Sequence, residues 1–95
     1  MKQPCVYILS NKKHGTLYIG VSSDLIARVW QHKNAAIAGF TSRYGVSLLV
    51  WYEATENMVS AIAREKQLKA GSRARKISLI ETNNPEWLDL YPELL

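Results

Sequence analysis

The chain has 95 residues and 47% apolar content, which predicts one domain over residues 1–95 with a modest hydrophobic core. No apolar run approaches the roughly 18 residues of a spanning helix, and none follows Lys2, which argues against a membrane partner or secretory signal and predicts a cytoplasmic protein. The single Cys5 excludes an internal disulfide, and the formal net charge of +4 is compatible with a polyanionic partner.

The N-terminal part of the chain has the pattern of a β-hairpin. Apolar runs at 6–9 and 16–20 are rich in β-branched and aromatic residues, and the polar cluster at 10–15 is a turn signal. If the strands pair symmetrically about that loop, Tyr7 lies directly opposite Tyr18, with Cβ atoms about 5 Å apart. The sequence therefore predicts two phenols side by side on one face.

A helix is predicted over 23–36, where good N-cap residue types precede apolar residues at helical spacing. Arg28 and His32 are four residues apart and therefore neighbours on one face of this helix. Taken alone, Arg28 would be a surface cation and His32 a partly buried imidazole. Their position beside two opposed tyrosines favours a functional site.

A loop and a strand are predicted next. The segment 38–45 contains glycine and hydroxyl residues and is interpreted as a loop, in which Arg43 and Tyr44 could contact a phosphate or an unpaired base, or Tyr44 could cover the core. The nearly continuous apolar run 46–52 is typical of a buried central strand.

The second long helix is predicted over 57–70 and carries Glu65 on its inward face, three residues after Ile62 and three before Leu68. Burying a carboxylate is costly unless it has a partner. Two partners are open: a cation such as Arg28, or a metal ion.

Two further helices complete the chain. One is predicted over 72–80, and a short one begins at Pro85 with Asn84 as its cap. The element order β-β-α-β-α-α with a short C-terminal helix predicts an α/β fold in which helices flank a small three-stranded sheet. In that sheet the hairpin would be joined by a third, central strand.

Basic residues are concentrated in one stretch. Half of the twelve lysines and arginines lie within 64–76, opposed there by Glu65 alone. This surface could neutralise phosphates, or it could be an ordinary solvated helix face. The predicted nucleic-acid-binding residues are Lys33, Arg43, Tyr44, Arg64, Lys66, Lys69, Arg73, Arg75 and Lys76.

Four segments stand in a recognisable order: Val6-Tyr7, Tyr18-Ile19-Gly20, the helical stretch 24–33 and the stretch 63–69. Together they resemble the GIY-YIG nuclease superfamily, most closely its small single-domain bacterial members. The first two segments resemble its paired-tyrosine signature. The other two resemble its first helix and the helix that supplies a metal-binding glutamate. The resemblance covers nearly the whole chain.

The resemblance implies a divalent-metal-dependent endonuclease acting on nucleic acid, with DNA favoured over RNA and DNA repair as its process. Hydrolysis of a phosphodiester needs a base, positive charge on the phosphoryl oxygens and help for the leaving oxygen. The implied roles are Tyr7 as general base or water-orienting group, Tyr18 as its hydrogen-bonding partner, Arg28 as phosphate clamp, His32 as proton acceptor and Glu65 as ligand of one Mg²⁺ or Mn²⁺. Free tyrosine is a weak base, so nearby cations would have to lower the pKa of Tyr7, and activity should then rise towards alkaline pH.

The chain departs from the family pattern at several positions. Cys5 replaces the first glycine of the signature, and Val21 stands where repair-type members carry a lysine. The family also uses a late asparagine, for which Asn83 and Asn84 are both candidates. Family nucleases usually carry a targeting domain, for which 95 residues leave no room, so we expect weak or structure-based selectivity or a protein partner that supplies it. The alternatives are a non-cleaving nucleic-acid-binding module that acts with a partner protein, and a small structural or interaction domain.

Overall fold

The computed structural model describes residues 2–36 and 38–95, which fold as a three-stranded antiparallel sheet with helices on both faces. The strands are β1 (Cys5–Ser10), β2 (Leu17–Ser22) and β3 (Leu48–Ala54), in the spatial order β2-β1-β3. The helices are α1 (Leu25–Lys33), α2 (Phe40–Tyr44), α3 (Met58–Ala70) and α4 (Arg73–Asn83), followed by a 3-10 turn at Tyr91–Leu94. The predicted α/β fold and its element order are confirmed. Within the described residues, no helix is long and apolar enough to cross a membrane.

Two hydrophobic clusters lie on opposite faces of the sheet. Along β1 the side chains alternate, so Val6 and Ile8 belong to one cluster and Tyr7 and Leu9 to the other. The first cluster packs against residues of α3 and α4, and the second packs against α1. All six residues of β1 are buried, because both faces of this strand are covered.

The strand β3 is an edge strand, and the prediction of a central third strand is wrong: β1 occupies the centre. The apolar sequence of β3 is typical of a central strand because C-terminal residues of the chain cover the outer edge of β3. The Asn84 side-chain amide donates to the Val50 carbonyl at 3.1 Å. The Leu90 amide donates to the Leu49 carbonyl at 2.7 Å. The Leu49 amide donates to the Asp89 carboxylate at 3.1 Å. We call residues 84–90 the C-terminal strap.

The hairpin register differs by two residues from the prediction. Tyr7 pairs with Gly20, and Tyr18 pairs with Leu9. The reason is the connection between the strands, in which the Asn11 side chain accepts a hydrogen bond from the Thr16 amide at 2.9 Å and keeps that residue out of β2. Because side chains alternate along a strand, a shift of two leaves both tyrosines on one face, as diagonal neighbours.

Side-chain caps fix the starts of the long helices. The carboxylate of Asp24 accepts from the Ala27 amide, Asn57 accepts from Ser60, and Ser72 accepts from Arg75. The predicted helices over 23–36, 57–70 and 72–80 are therefore confirmed, although α1 ends earlier and α4 continues to Asn83.

Two local predictions are wrong. The segment 38–45 contains the short helix α2, which ends at Gly45 in the left-handed conformation (φ 63°) that glycine adopts without strain. No helix begins at Pro85. There the Asn84 side chain bonds to the backbone of Leu88 and holds an irregular turn. Five residues make α2 too short to show helical periodicity, and a polar side chain that bonds to nearby backbone competes with helix formation.

We expect Gly20→Ala to destabilise the fold by about 1–3 kcal/mol and to displace the Tyr7 phenol. A Cβ atom at Gly20 would lie 2.6 Å from the Tyr7 hydroxyl oxygen and 2.7 Å from its ring carbon Cζ, and this ring is buried. Chemical denaturation measures the loss. Gly71→Ala is the matched control, because φ is −78° and the new Cβ would lie 3.4 Å from its nearest neighbour, the Leu68 carbonyl oxygen. Equal losses for the two variants would contradict the steric explanation.

Candidate functional site

The candidate site is built around Tyr7 on the central strand. Its ring is 1% exposed, and its hydroxyl oxygen lies 3.1 Å from Nε2 of His32 on α1. Asp24 starts α1 so that His32 falls in its last turn, on the buried face together with Leu25 and Val29. Strand and helix therefore meet at a hydrogen bond between a phenol and an imidazole.

The second imidazole nitrogen of His32 is also fixed. Its Nδ1 lies 2.9 Å from the hydroxyl of Thr41, which is the buried residue of α2. Sequence reasoning misses this role of Thr41. A hydroxyl in a short segment without periodicity gives no sequence signal of burial.

Tyr18 completes a cluster of three rings. Its ring centroid is 6.4 Å from that of Tyr7 and 5.5 Å from that of His32. The ring of Tyr18 is partly exposed, whereas those of Tyr7 and His32 are buried. Tyr18 thus forms the boundary between the buried pair and solvent.

Burial raises the pKa of Tyr7 far above its usual value, and the charges of Tyr18 and Glu65 raise it further, whereas Arg28 lowers it. The phenol is therefore protonated at neutral pH. This differs from the expectation that nearby cations would lower its pKa. Arg28 acts in the expected direction, but the loss of hydration is the larger effect.

Burial lowers the pKa of His32, and the positive charge of Arg28 lowers it further. The imidazole is therefore neutral at pH 7, with a proton on one nitrogen and a lone pair on the other. When Nδ1 carries the proton and donates to Thr41, Nε2 accepts the hydroxyl proton of Tyr7. This tautomer makes His32 a proton acceptor for Tyr7.

The charges of Arg28 and Glu65 act on the Tyr7 phenol. Arg28 lies on the exposed surface of α1, one turn before His32. Glu65 lies on α3, which packs against β2 and β1, and its side chain is 17% exposed. Both are near enough to affect the pKa of Tyr7. Of the two partners considered for Glu65, the structure places a cation there, Lys69, at 3.2 Å and not Arg28.

The donor set around Glu65 limits the kind of metal that could bind. Across residues 2–36 and 38–95, no group of three or more His, Cys, Asp or Glu side chains is placed to hold an ion. Such an arrangement does not suit zinc or a protein-caged calcium ion. A single carboxylate does suit Mg²⁺, which keeps most of its water ligands in proteins. Lys69 is 55% exposed and can move away from Glu65 at little cost.

Besides Lys69, which pairs with Glu65, three of the predicted binding cations have structural partners. Lys33 donates to the Asp89 carboxylate at 2.5 Å and to the Ser47 carbonyl at 2.9 Å. Arg64 pairs with Glu53 at 3.1 Å. Arg73 donates to two carbonyls of the hairpin connection, those of His14 and Gly15. The other members of the predicted set are at least partly exposed: Arg43, Tyr44, Lys66, Lys69, Arg75 and Lys76.

The structure distinguishes the two late asparagines. The Asn84 side chain is buried and bonds to the backbone of Val50 and Leu88, which makes it part of the strap. Asn83 is exposed at the end of α4. Neither hydrogen-bonds to the Tyr7–His32 pair among the described contacts.

We expect Thr41→Val to cost about 1–3 kcal/mol of unfolding free energy, because it leaves Nδ1 of a buried imidazole without a partner. Val is close to Thr in shape, so packing is preserved. Thermal or chemical denaturation measures the effect. Thr41→Ser, which keeps the hydroxyl, should recover most of the loss. Equal stabilities for the Val and Ser variants would show that the hydrogen bond contributes nothing.

Comparison of the sequence with models of protein families gives a match over most of the chain. A family model described as the GIY-YIG catalytic domain matches residues 3–78. The chain belongs to the GIY-YIG family. The GIY-YIG match includes all five predicted catalytic residues: Tyr7, Tyr18, Arg28, His32 and Glu65. The GIY-YIG domain has a nuclease-type fold, and its family members are generally endonucleases that use a divalent metal.

This GIY-YIG chain is also similar to several bacterial UPF0213 proteins. It is 32% identical over 80 residues to one from Staphylococcus saprophyticus, covering 84% of this chain and 96% of the relative. It is 35% identical over 79 residues to one from Clostridium perfringens, covering 83% and 84%. The solution NMR structure of a UPF0213 protein from Bacillus halodurans matches with a TM-score of 0.56 and 28% identity, over 92% of each chain. The predicted resemblance to small bacterial members is confirmed.

Proposed function

We propose that this GIY-YIG protein is a divalent-metal-dependent endonuclease that hydrolyses phosphodiester bonds of nucleic acid, with DNA favoured over RNA. The observation that carries the proposal is the line of contacts Tyr7–His32–Thr41, in which a buried phenol meets a neutral imidazole fixed at its other nitrogen. A positioned proton acceptor of this kind is what general-base catalysis requires. Its position beside the exposed Arg28 suits a reaction at a bound phosphate.

The proposed reaction moves two protons together. The attacking water gives a proton to the hydroxyl oxygen of Tyr7 while Tyr7 gives its own proton to Nε2 of His32. The new O–P bond then forms, the bond to the leaving oxygen breaks, and that oxygen takes a proton from solvent. His32 afterwards releases its additional proton to solvent and is neutral again. Because Tyr7 is neutral before and after the transfer, its raised pKa is no obstacle.

The remaining residues stabilise charge on the phosphate. The guanidinium of Arg28 would bind two phosphoryl oxygens, and the hydroxyl of Tyr18 would hydrogen-bond near the attacking water. Glu65 would hold one Mg²⁺ or Mn²⁺, which supplies positive charge to the phosphoryl and leaving oxygens when bound. Lysines and arginines of α3 and α4 would bind the nucleic-acid backbone, so affinity should fall steeply with salt.

A cleavage assay tests the proposal. The purified chain is incubated with single-stranded, branched and duplex DNA and RNA, with Mg²⁺ or with a chelator. We expect cleavage that the chelator abolishes and that the double variant Tyr7→Phe/Glu65→Gln lacks. Equal cleavage by the double variant would indicate a contaminating nuclease. Binding without cleavage of any substrate would favour the alternative, a binding module that acts with a partner protein.

The rate of cleavage should depend on the protonation of His32. Only the neutral imidazole accepts a proton, and its pKa is lowered, so activity should persist below the usual histidine pKa of about 6.5 and fall on further acidification. Above neutral pH the rate should be level, because the phenolate of Tyr7 is not required. A single-turnover pH–rate profile checks this. A rate that rises about tenfold per pH unit above neutrality would show that the phenolate is the base.

A further inference from the structure

Three aromatic rings form a row that leads from the candidate site to solvent. Tyr18 lies next to His32, and Phe40 packs on Tyr18 with ring centroids 6.2 Å apart and 28° between the ring planes. The ring centroid of Tyr44 lies 4.8 Å from that of Phe40. We call Tyr18, Phe40 and Tyr44 the aromatic row. It extends the ring cluster of the site outwards along α2.

The outer members of the row are exposed although they are large and apolar. Phe40 is 46% exposed and Tyr44 48%, whereas Thr41, between them on the same short helix, is buried against His32. The bond between Thr41 and His32 therefore fixes α2 in an orientation that leaves two adjacent rings in water. A contiguous exposed apolar patch of this kind marks a binding surface.

Positive charge lies beside the row. The Arg43 guanidinium is 5.7 Å from the centroid of the Tyr44 ring. A groove of about 410 Å³ runs along the other end, lined by the apolar residues Leu17 and Ile19, the rings of Tyr18 and Phe40, and the side chains of Lys69 and Lys76. Ring faces for a base and ammonium groups for its phosphate are the two features that single-strand binding surfaces combine.

We infer that the aromatic row stacks an unpaired base of the nucleotide next to the phosphate at Tyr7. Bases inside a duplex are stacked on their neighbours on both faces, so away from duplex ends only an unpaired nucleotide offers a free face to these rings. The substrate class of the site is then a single strand, or a junction that carries unpaired nucleotides. The inference rests on the proposed function, and DNA and RNA present the same ring faces.

Binding measured in a chelator, where no cleavage occurs, tests the inference. The probes are a labelled single strand of about 12 nucleotides, as DNA and as RNA, and a blunt duplex of the same length. Phe40→Ala and Tyr44→Ala should each weaken single-strand binding about tenfold and leave duplex binding unchanged. Trp30→Ala is the matched control, because Trp30 is 52% exposed on α1 and outside the row, and it should leave both affinities unchanged.

A fluorescence measurement on the wild type keeps the inference testable if an alanine variant does not fold. The fluorescence of 2-aminopurine placed in the single strand should be quenched on binding to the wild type, since stacking quenches this base. The strand position of the strongest quenching should coincide with the nucleotide next to the cleaved bond. Phe40→Ala should restore the fluorescence at saturating protein.

Several outcomes would overturn the inference. One is unchanged single-strand affinity in both alanine variants, which would leave the rings as a protein-docking surface. Another is equal weakening for single strand and duplex, and a third is no quenching on binding. Row-dependent single-strand binding without cleavage in Mg²⁺ would support the row while contradicting the nuclease proposal. Cleavage together with row-independent binding would do the reverse.

Discussion

Replacing Tyr7 with phenylalanine should slow cleavage by about 10²–10⁴-fold while leaving the chain folded. The substitution keeps the ring that packs in the buried cluster with Leu9 and Val29 and removes only the hydroxyl 3.1 Å from His32 Nε2. In the proposed reaction, this hydroxyl passes the proton of the attacking water to the imidazole, and the variant lacks it. Single-turnover cleavage in Mg²⁺ measures the effect, and circular dichroism confirms the fold.

Tyr52→Phe is the matched control for this variant. Tyr52 is the register partner of Tyr7 on β3, and its hydroxyl donates to the Glu93 carboxylate at 3.1 Å. The variant therefore also loses one phenolic hydrogen bond of the sheet, but one that is not made to His32. We expect it to cleave at the wild-type rate. A Tyr7→Phe variant that cleaves as fast as Tyr52→Phe would contradict the proposed role of Tyr7.

Glu65→Gln should lower Mg²⁺-dependent cleavage by about a hundredfold or more, because it removes the carboxylate proposed to hold the ion. Nucleic-acid affinity should stay the same or increase, since a negative charge is removed near the phosphate and Lys69 loses its partner at 3.2 Å. Cleavage rates across a Mg²⁺ titration measure the first effect, and nucleic-acid binding in a chelator measures the second. Mn²⁺ binding followed by electron paramagnetic resonance tests the ion site directly.

Glu53→Gln provides the comparison for this prediction. Glu53 is also a partly exposed carboxylate paired with a basic residue of α3, Arg64, at 3.1 Å. Its neutralisation changes the net charge by the same amount and should leave the Mg²⁺ titration unchanged. If Glu65→Gln cleaves with the same metal dependence as Glu53→Gln, then Glu65 is only the salt-bridge partner of Lys69.

The hairpin shows what a sequence can establish about a site. The alternation of side chains along a strand predicts that Tyr7 and Tyr18 share a face, and the structure confirms it. The pairing partner depends on how the connection closes, through bonds such as that from the Thr16 amide to the Asn11 side chain. Such bonds shift the register by two residues without changing the face, so periodicity cannot detect them.

Long-range contacts explain the other differences. The apolar run of β3 indicates that this strand is buried. It does not indicate whether another strand or the C-terminal strap, which is distant in sequence, covers its outer edge. The burial of Thr41 depends on where α1 places His32, which no local pattern records. Helical spacing predicts which helix faces carry Arg28, His32 and Glu65, because each lies on one of the longer helices. Their roles in a site are implied by the family resemblance and not by the spacing.

The strap has a consequence for self-association. It occupies outward backbone groups of β3, so a strand from a second molecule finds few hydrogen-bonding partners on that side of the sheet. Asp89 in the same segment also holds Lys33, the residue after His32. Proteolytic trimming of the last dozen or so residues would therefore uncover an adhesive strand and release the helix that carries the imidazole, so that aggregation and loss of the site would appear together.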